Sequence, residues 1–582
     1  MNCEFVNQLS RLRKLSVESV DNPDSFSDLN RYMHVTRVVE TELKEILRKV
    51  HRNQHKTLVL LCGSAGDGKS HLLSYLKNED EECLLEGIEI YNDATESAEP
   101  HLTAIDTLAE RLKDFSDEHL DNGVAKKLIL AINLGVLNNF IESEKGQAFK
   151  KLKLYVEESE IFSSFTRKAE YKENSPFQHV SFSDFHLFTL KNGKIKTDYL
   201  NELFNKVFAQ VEENPFYRCY SKNNQNCNHC SECPVRHNYE LMFDSKIRES
   251  IINQLVEVSI KDKSVVTTRE ILNFIYDILV HSDFMQKDFF KQRVHVTQLI
   301  KYLEHTTPIL AYEQADVSSL LNGIRKHDFL RYRTAKLDQF SLSYHTSNDI
   351  SHIFNSSVKG TPFKKFKKLV DGVHYSESNH EYKEKLYRFI IRLNDLKQER
   401  DSIDNSSDFK EFIKHLYYQN LGQSYNLDSL YEDTLAATKK WNGDFGDSHI
   451  GLDDFNENYW VAEEIGLSPL YPDEVENVDD EELMRFEPTL KVAFYNEYDS
   501  TAEPVELTID FCLFKLIKSM NRGYCPTIED KNSHANFVSF VHQVVELGKK
   551  TSKIELISKA NPTTERFVFT KVGRDSYQFR KK

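Results

Sequence analysis

The segment that most constrains this chain is Gly63-Ser64-Ala65-Gly66-Asp67-Gly68-Lys69-Ser70, which fits G-x-x-x-x-G-K-[ST]. It lies between an apolar run, KTLVLLC, and an amphipathic one, KSHLLSYLKNE. A strand entering a glycine turn and a helix leaving it gather backbone N–H groups and a helix N-terminus around one point, where phosphate oxygens are attracted. Side chains at Gly63, Gly66 or Gly68 would block that approach. Lys69 is expected to reach β/γ-phosphates and Ser70 to complete a Mg²⁺ shell, with Ser64, Ala65, Asp67 and His71 as further nucleotide contacts. The loop therefore predicts a nucleoside triphosphate site. ATP is favoured over GTP because no N-K-x-D guanine signature follows downstream.

Around this loop the pattern predicts an α/β fold. Strands are expected over 58–61, 88–91, 128–132 and 179–190, with helices after the first two. That alternation argues for a mostly parallel sheet with helices on both faces, the core of a P-loop NTPase. The 582 residues allow three or four domains at roughly 150 residues each. The expected divisions are an N-terminal helical segment (1–50), the ATPase core (51–195), a helical lid region with a Cys-rich metal module (196–344) and a helical domain (345–471) broken by a polar stretch at 398–408. An acidic linker (472–488) and a small α+β C-terminal domain (489–582) follow. In the last, LKVAFYN, VELTIDF, SKIELIS, RFVFTKV and DSYQFRK read as short strands, with Gly573 in a hairpin turn.

Hydrolysis needs an acidic strand end to hold Mg²⁺ and orient water. The nearest candidate is IEIYNDATE, where Asp93 would hold the metal-bound water and Glu96 would act as the base. The alternative is a turn at Asn92-Asp93 with Glu96 capping the next helix. Asn133 ends the apolar run LILAIN and is a candidate to bond the γ-phosphate and the attacking water, or else a turn residue. Thr267-Thr-Arg269-Glu270 reads as a capping box opening a helix with Ile271, Leu272 and Ile275 on its apolar face. Arg269 then stands in the first turn, either as a lid arginine reaching the triphosphate or as a solvated one. The order loop, acid, Asn, lid Arg resembles that of AAA+ ATPases.

Cys219, Cys227, Cys230 and Cys233 form a dense thiol group, with His229 and His237 nearby. Four converging thiolates suit tetrahedral Zn²⁺, whereas C-x2-C-x2-C-P also fits an iron–sulfur cluster. Lysines interleave with Phe363 and Phe366 between Lys359 and Lys368, and ten basic against three acidic residues fill 549–582, in a chain of net charge −16. Both patches are candidates for phosphate-backbone contact, or are solvated faces. No segment approaches the roughly 20 apolar residues of a membrane span. The first residues lack the apolar run of a signal peptide, so a cytoplasmic location is expected.

Several segments together resemble the F protein of bacterial DNA phosphorothioation-dependent restriction (DptF type): CGSAGDGKSHLL, YNDATES, LAINLGVLNNF, NPFYRCY, the cysteine group into CPVRHN, TTREILNFIYDIL, IDFCLFKLIKSMNRGYCP and FVSFVHQVVELG. The likeness spans about 55 to 545. It implies an ATPase subunit working with two partner proteins, of G and H type, in antiviral defence against DNA that lacks the phosphorothioate mark. Double-stranded DNA would be contacted directly or through those partners, and a homo-oligomer is an open possibility. From the family's motif, Gly63, Gly66, Gly68, Lys69 and Ser70 carry over as nucleotide-binding; Asp93, Glu96, Asn133 and Arg269 carry over as position-matched candidates. A nucleotide-gated scaffold or switch with little intrinsic hydrolysis is the competing reading, because the acidic site is degenerate. No nuclease constellation is evident.

Overall fold

Strand β1 (Thr57–Cys62) is buried at all six positions in the computed structural model. It runs parallel between β3 (Lys127–Ile132) and β4 (Phe177–Ser181), and β2 (Glu89–Tyr91) joins the far edge of β3. Side chains alternate across a strand. Leu58, Leu60 and Cys62, with Leu128, Leu130 and Ile132, therefore meet α5 (Ala104–Arg111), α6 (Leu134–Glu142) and α7 (Lys150–Glu158) on one face. Val59, Leu61, Ile129 and Ala131 meet α3 (Val38–Arg52) and α4 (Lys69–Glu79) on the other. The chain is thus α/β with a four-stranded parallel sheet covered on both sides, as the alternation predicted.

The structure describes all residues except 1–2, 22–25, 93–102, 123, 163–170, 227–229, 265, 285–294, 315–316, 367–368, 371–379, 398–406, 444, 447–448, 453–456, 473–480, 498–500, 549–552 and 574–575. They divide into Met1–Thr189 with Lys196–Asp404, and Leu190–Ile195 with Asn405–Lys582. Among the described residues no helix is long and apolar enough to cross a membrane.

Within the first unit, residues 1–50 are not a segment apart. Helix α3 supplies Val39, Leu43, Ile46, Leu47 and Val50 to the sheet's core. Helix α1 (Glu4–Asp21) packs against α4, and α2 (Asp28–Met33) leads into α3. The strand expected over 179–190 is also corrected. It stops at Ser181, whose side chain accepts the Ser183 N–H at 3.2 Å and opens a 3₁₀ turn over Phe182–Asp184. The remainder contributes β5 (Thr189–Lys191), which pairs with β6 (Lys194–Lys196), and from Leu190 the chain passes into the second unit, where Leu190 also bridges Leu483.

Helices then follow in sequence: α8 (Asp198–Phe208), α9 (Pro215–Asn226), α10 (Pro234–Leu241), α11 (Ser245–Lys261), α12 (Thr268–Leu279), α13 (Val296–Glu304), α14 (Thr307–Glu313), α15 (Ser319–Lys326), α16 (Ala335–Thr346), α17 (Ser351–Val358) and α18 (His380–Lys397). Buried amides stitch them. Asn238 donates to Leu279 O (3.0 Å) and His305 O (2.8 Å) while its Oδ1 accepts the Thr307 N–H. Asn214 donates to Val207 O and Ala209 O and accepts the Phe216 N–H, which gives the NPFYRCY segment a structural task. The buried Arg392 guanidinium bonds Glu313 (2.8 Å) and Asp328 (2.7 Å) and lies 4.7 Å from the Tyr312 ring. Desolvation opposes ionisation of Glu313, but Lys385 and Arg392 prevail and hold its carboxyl down at about 2.

The second unit contains α19 (Ser407–Asn420), α20 (Asp428–Lys440), α21 (Phe511–Asn521), α22 (Ile528–Ser533) and α23 (Ala535–Gly548) beside two antiparallel sheets. One orders β11 (Val505–Ile509), β10 (Leu490–Asn496) and β9 (Leu467–Leu470); the other orders β14 (Tyr577–Lys581), β13 (Arg566–Lys571), β12 (Lys553–Ser558), β8 (Tyr459–Glu464) and β7 (His449–Gly451). The span 345–471, expected as one helical domain, is divided between the units and ends in three strands. YWVAEE becomes a strand because KIELIS, far along the chain, pairs with it. In the acidic stretch, 473–480 lie outside the described residues, but Phe486 is buried and the Glu487 N–H bonds Asn420, so that end is packed rather than a linker.

Removing one partner of a buried ion pair is costly. Arg392→Met should therefore destabilise the first unit by about 3 kcal/mol, read as a lowered unfolding midpoint, and the acid-side loss of stability associated with Glu313 should shift to higher pH.

Candidate functional site

The glycine loop lies where β1 leaves the sheet at its C-terminal edge. The Gly63 N–H bonds Ile132 O of the neighbouring strand at 3.3 Å, which holds the start of the turn against β3. Gly66 and Gly68 adopt φ of +95° and +104°, a left-handed backbone that side chains disfavour. A Cβ on Gly63 would lie 2.8 Å from Asp67 Oδ2 and 2.9 Å from Phe182 Cβ. A Cβ on Gly68 would meet nothing within 4 Å, because the space before it is open. Asp67 is turned inward: its carboxylate accepts the Ser64 N–H and braces the turn, and burial pushes its pKa up. Lys69 Nζ lies over the loop, donating to Gly63 O and Ser64 O at 2.9 Å each.

The helix α12 sits directly on this loop. The Arg269 N–H donates to Gly66 O at 3.2 Å, and a Cβ on Gly66 would come within 3.0 Å of Arg269 Cβ. The capping box forms as expected: Thr267 accepts the Glu270 N–H, and Glu270 accepts the Thr267 N–H at 2.9 Å. The helix's other end is anchored by an Arg13–Asp277 ion pair, with the Arg13 guanidinium over the Tyr276 ring.

Together these elements enclose a cleft of about 390 Å³, within the roughly 300–1,000 Å³ of small-molecule sites. Ala65, Gly66, Asp67, Gly68, Lys69, Ser70 and His71 line it, and so do Asn133 and Arg269. Asn133 stands at the tip of β3, the strand beside β1, and makes no capping bond to α6. Asp93 and Glu96 lie outside the described residues; β2 ends at Tyr91, and Asn92 after it reaches the cleft. The Asn92 side-chain oxygen is buried with no hydrogen-bond partner among the described residues. An open cradle before Gly68, a lysine over the loop and an orphaned polar oxygen fit a phosphate–Mg²⁺ ligand.

Sequence reasoning missed four wall residues. Arg37 precedes α3, donates to Asp67 O at 3.1 Å and lies 5.0 Å from the Phe182 ring and 5.3 Å from the Tyr199 ring. Tyr199 in turn bonds Thr268 at 3.1 Å. His34 stacks on Tyr75 with centroids 3.5 Å apart and bonds His71 at 3.2 Å. No fixed spacing to the loop marks Arg37, His34, Phe182 or Tyr199; only the chain's path brings them in.

The cysteine group is placed in part. Cys219 lies on α9, where burial pushes its thiol up to about 11, and Cys233 caps α10. Cys227 and His229 lie outside the described residues, and the Cys230 side chain is not described. His237 is committed elsewhere, its Nδ1 2.6 Å from the buried Tyr302 hydroxyl. Among the described residues no three His, Cys, Asp or Glu side chains gather to hold a metal. Between Lys359 and Lys368 the two rings turn inward. Phe363 is fully buried against Phe389, and Phe366 stacks on Tyr302 at 4.1 Å, so neither ring is offered to a base.

Compared with known proteins, no family model, no curated protein and no solved structure matches the chain.

Gly66→Ala should loosen α12 from the loop, and amide exchange at Arg269 should rise above that of the parent protein. A pH effect follows from His71. Desolvation lowers its imidazole from an ordinary 6.5 to about 4, assisted by His34, against the pull of Glu40. The unfolded chain then binds the extra proton, so stability is full above pH 6.5 and is lost as pH falls toward 4. Stability at pH 7 and at pH 5 should differ by about 2 kcal/mol less in His71→Gln than in the parent.

Proposed function

We propose that the chain binds and hydrolyses ATP at the Gly63–Ser70 loop, as the ATPase subunit of a bacterial restriction complex acting on DNA without phosphorothioate marks. The observation that carries the nucleotide reading is the loop itself. Its glycines open a cradle at the N-terminus of α4, where first-turn N–H groups and the helix dipole favour phosphate. The loop, read as a P-loop, would place the Lys69 ammonium against the β/γ-phosphates. Ser70 is the residue that would hold Mg²⁺, which when bound neutralises charge developing on the phosphates. Asn133 would orient the attacking water from the tip of β3, Arg269 would meet the γ-phosphate from the lid, and Glu96 beside Asp93 would take the water's proton.

Restriction, antiviral defence, G- and H-type partners and action on double-stranded DNA are supported by the family resemblance alone. Zn²⁺ held by Cys219, Cys227, Cys230 and Cys233 belongs to the same proposal, with an iron–sulfur cluster as the alternative; metal analysis and absorbance near about 400 nm separate them.

One contact favours a second reading, a nucleotide-gated switch with little hydrolysis. The Arg269 N–H bonded to Gly66 O joins lid and loop directly, so a change in one displaces the other. Turnover decides between the two. Purified protein with ATP and Mg²⁺ should hydrolyse ATP, faster with duplex DNA or partners, and Lys69→Ala should abolish it. Glu96→Gln should lower turnover by at least about a hundredfold with ATP binding retained. Binding without multiple turnover would establish the switch, and absence of binding would end both readings.

A further inference from the structure

Strands β13 and β14 form the open end of the five-stranded sheet, and β14 is exposed at all five positions. Their register sets Phe567 opposite Lys581, Phe569 opposite Phe579, and Lys571 opposite Tyr577. Directly opposed residues share a face, so four aromatic rings and two lysines stand on one side of this ribbon. The rings pair in parallel: Phe567 on Phe579 at 5.1 Å and 14°, Phe569 on Tyr577 at 5.0 Å and 15°. Tyr577 and Phe579 are each 55% exposed and Phe569 36%. Ile554 and Leu556 of β12, opposite Phe569 and Phe567, continue the apolar surface. Large side chains exposed together in this way mark a contact surface.

Charge states what that surface meets. Residues 549–582 carry ten basic and three acidic residues, a net of +7, while the rest of the chain carries −23 (−16 − 7). Lys581 closes one end of the aromatic file and Lys571 the other. Glu555 is on the opposite face, bonded by Lys582 at 2.7 Å. Aromatic rings flanked by cations suit unpaired bases joined by phosphates; a duplex keeps its bases stacked on one another and offers the rings nothing. A second copy would bring two surfaces of the same positive sign together.

We propose that this face binds single-stranded DNA, with bases stacked on Phe569, Tyr577 and Phe579 and phosphates held by Lys571 and Lys581. Stacking and phosphate contact need no 2′-hydroxyl, so the strand is taken as DNA, and the matching RNA is the discriminating arm of the test. The site is independent of the nucleotide reading.

Fluorescence anisotropy of the full chain with a labelled oligothymidylate of about 16 bases, without nucleotide, tests it. Phe579→Ala and Tyr577→Ala should each weaken binding about tenfold, with circular dichroism unchanged because both side chains are exposed. Lys571→Gln combined with Lys581→Gln should lower the log–log salt slope by about 1.4, and Lys69→Ala should bind as the parent does. Absence of binding, equal affinity for duplex DNA, or tighter binding of the matching RNA overturns the proposal. So does a dimer in light scattering that Phe579→Ala dissolves while oligonucleotide affinity stays unchanged.

Discussion

Burial of β1 on both faces is the constraint from which the first unit is built. A strand with no solvent side must be parallel to its neighbours and covered twice, and its register with β3 and β4 then decides which loops share an edge. Leu58, Leu60 and Cys62 commit one face to α5, α6 and α7; Val59 and Leu61 commit the other to α3 and α4. Slipping β1 by one residue would exchange the two sets and move the glycine loop away from Asn133. The buried Cys62 thiol, raised to about 12 chiefly by desolvation, is part of that packing.

Everything gathered at the sheet edge is held by short polar ties between distant parts of the chain. Arg37 reaches Asp67 from before α3, Tyr199 reaches Thr268 from α8, and the Arg269 N–H reaches Gly66 from α12. The first and third engage backbone, which cannot swing away as a surface side chain can, and the second joins two side-chain hydroxyls at the first residue of α12. The loop's conformation and the position of α12 are therefore one mechanical variable. Under the proposed nucleotide reading, that coupling would let the same geometry serve either a hydrolase or a switch, the difference resting on the acid proposed after β2.

The features legible in the sequence are those whose cause is local. A glycine loop between an apolar and an amphipathic run, the capping box at Thr267, and the five short strands after Leu490 all carry their signal within a few residues. What was not legible depends on partners far along the chain. HVSFSDFHLF reads as one alternating strand until Ser181 caps a turn that only the burial of Phe182 repays. YWVAEE carries a helix-tolerant ending and becomes β8 through pairing with β12. Amphipathic spacing reveals α3 as a helix but not as the second layer of the sheet, and nothing local marks Arg37 or His34 as cleft walls. Where the reading rested on Asp93, Glu96 or Cys227, the described residues do not reach it.

The two lysine–aromatic segments show how far composition can carry a functional reading. Lys359–Lys368 and the last two strands share the same ingredients, phenylalanines set among cations. At the first, a 3₁₀ turn over Pro362–Lys365 sends Phe363 and Phe366 into the core beside Tyr302 and Phe389, while Lys364 and Lys365 stay exposed. At the second, a two-stranded ribbon at a sheet end has no layer to bury its rings in, so alternation presents them with the lysines on one face. A charge pattern states where phosphate is attracted. Whether a base can also stack is decided by which way the backbone turns the ring, and that depends on the element, period two or a 3₁₀ turn, in which the same residues are set.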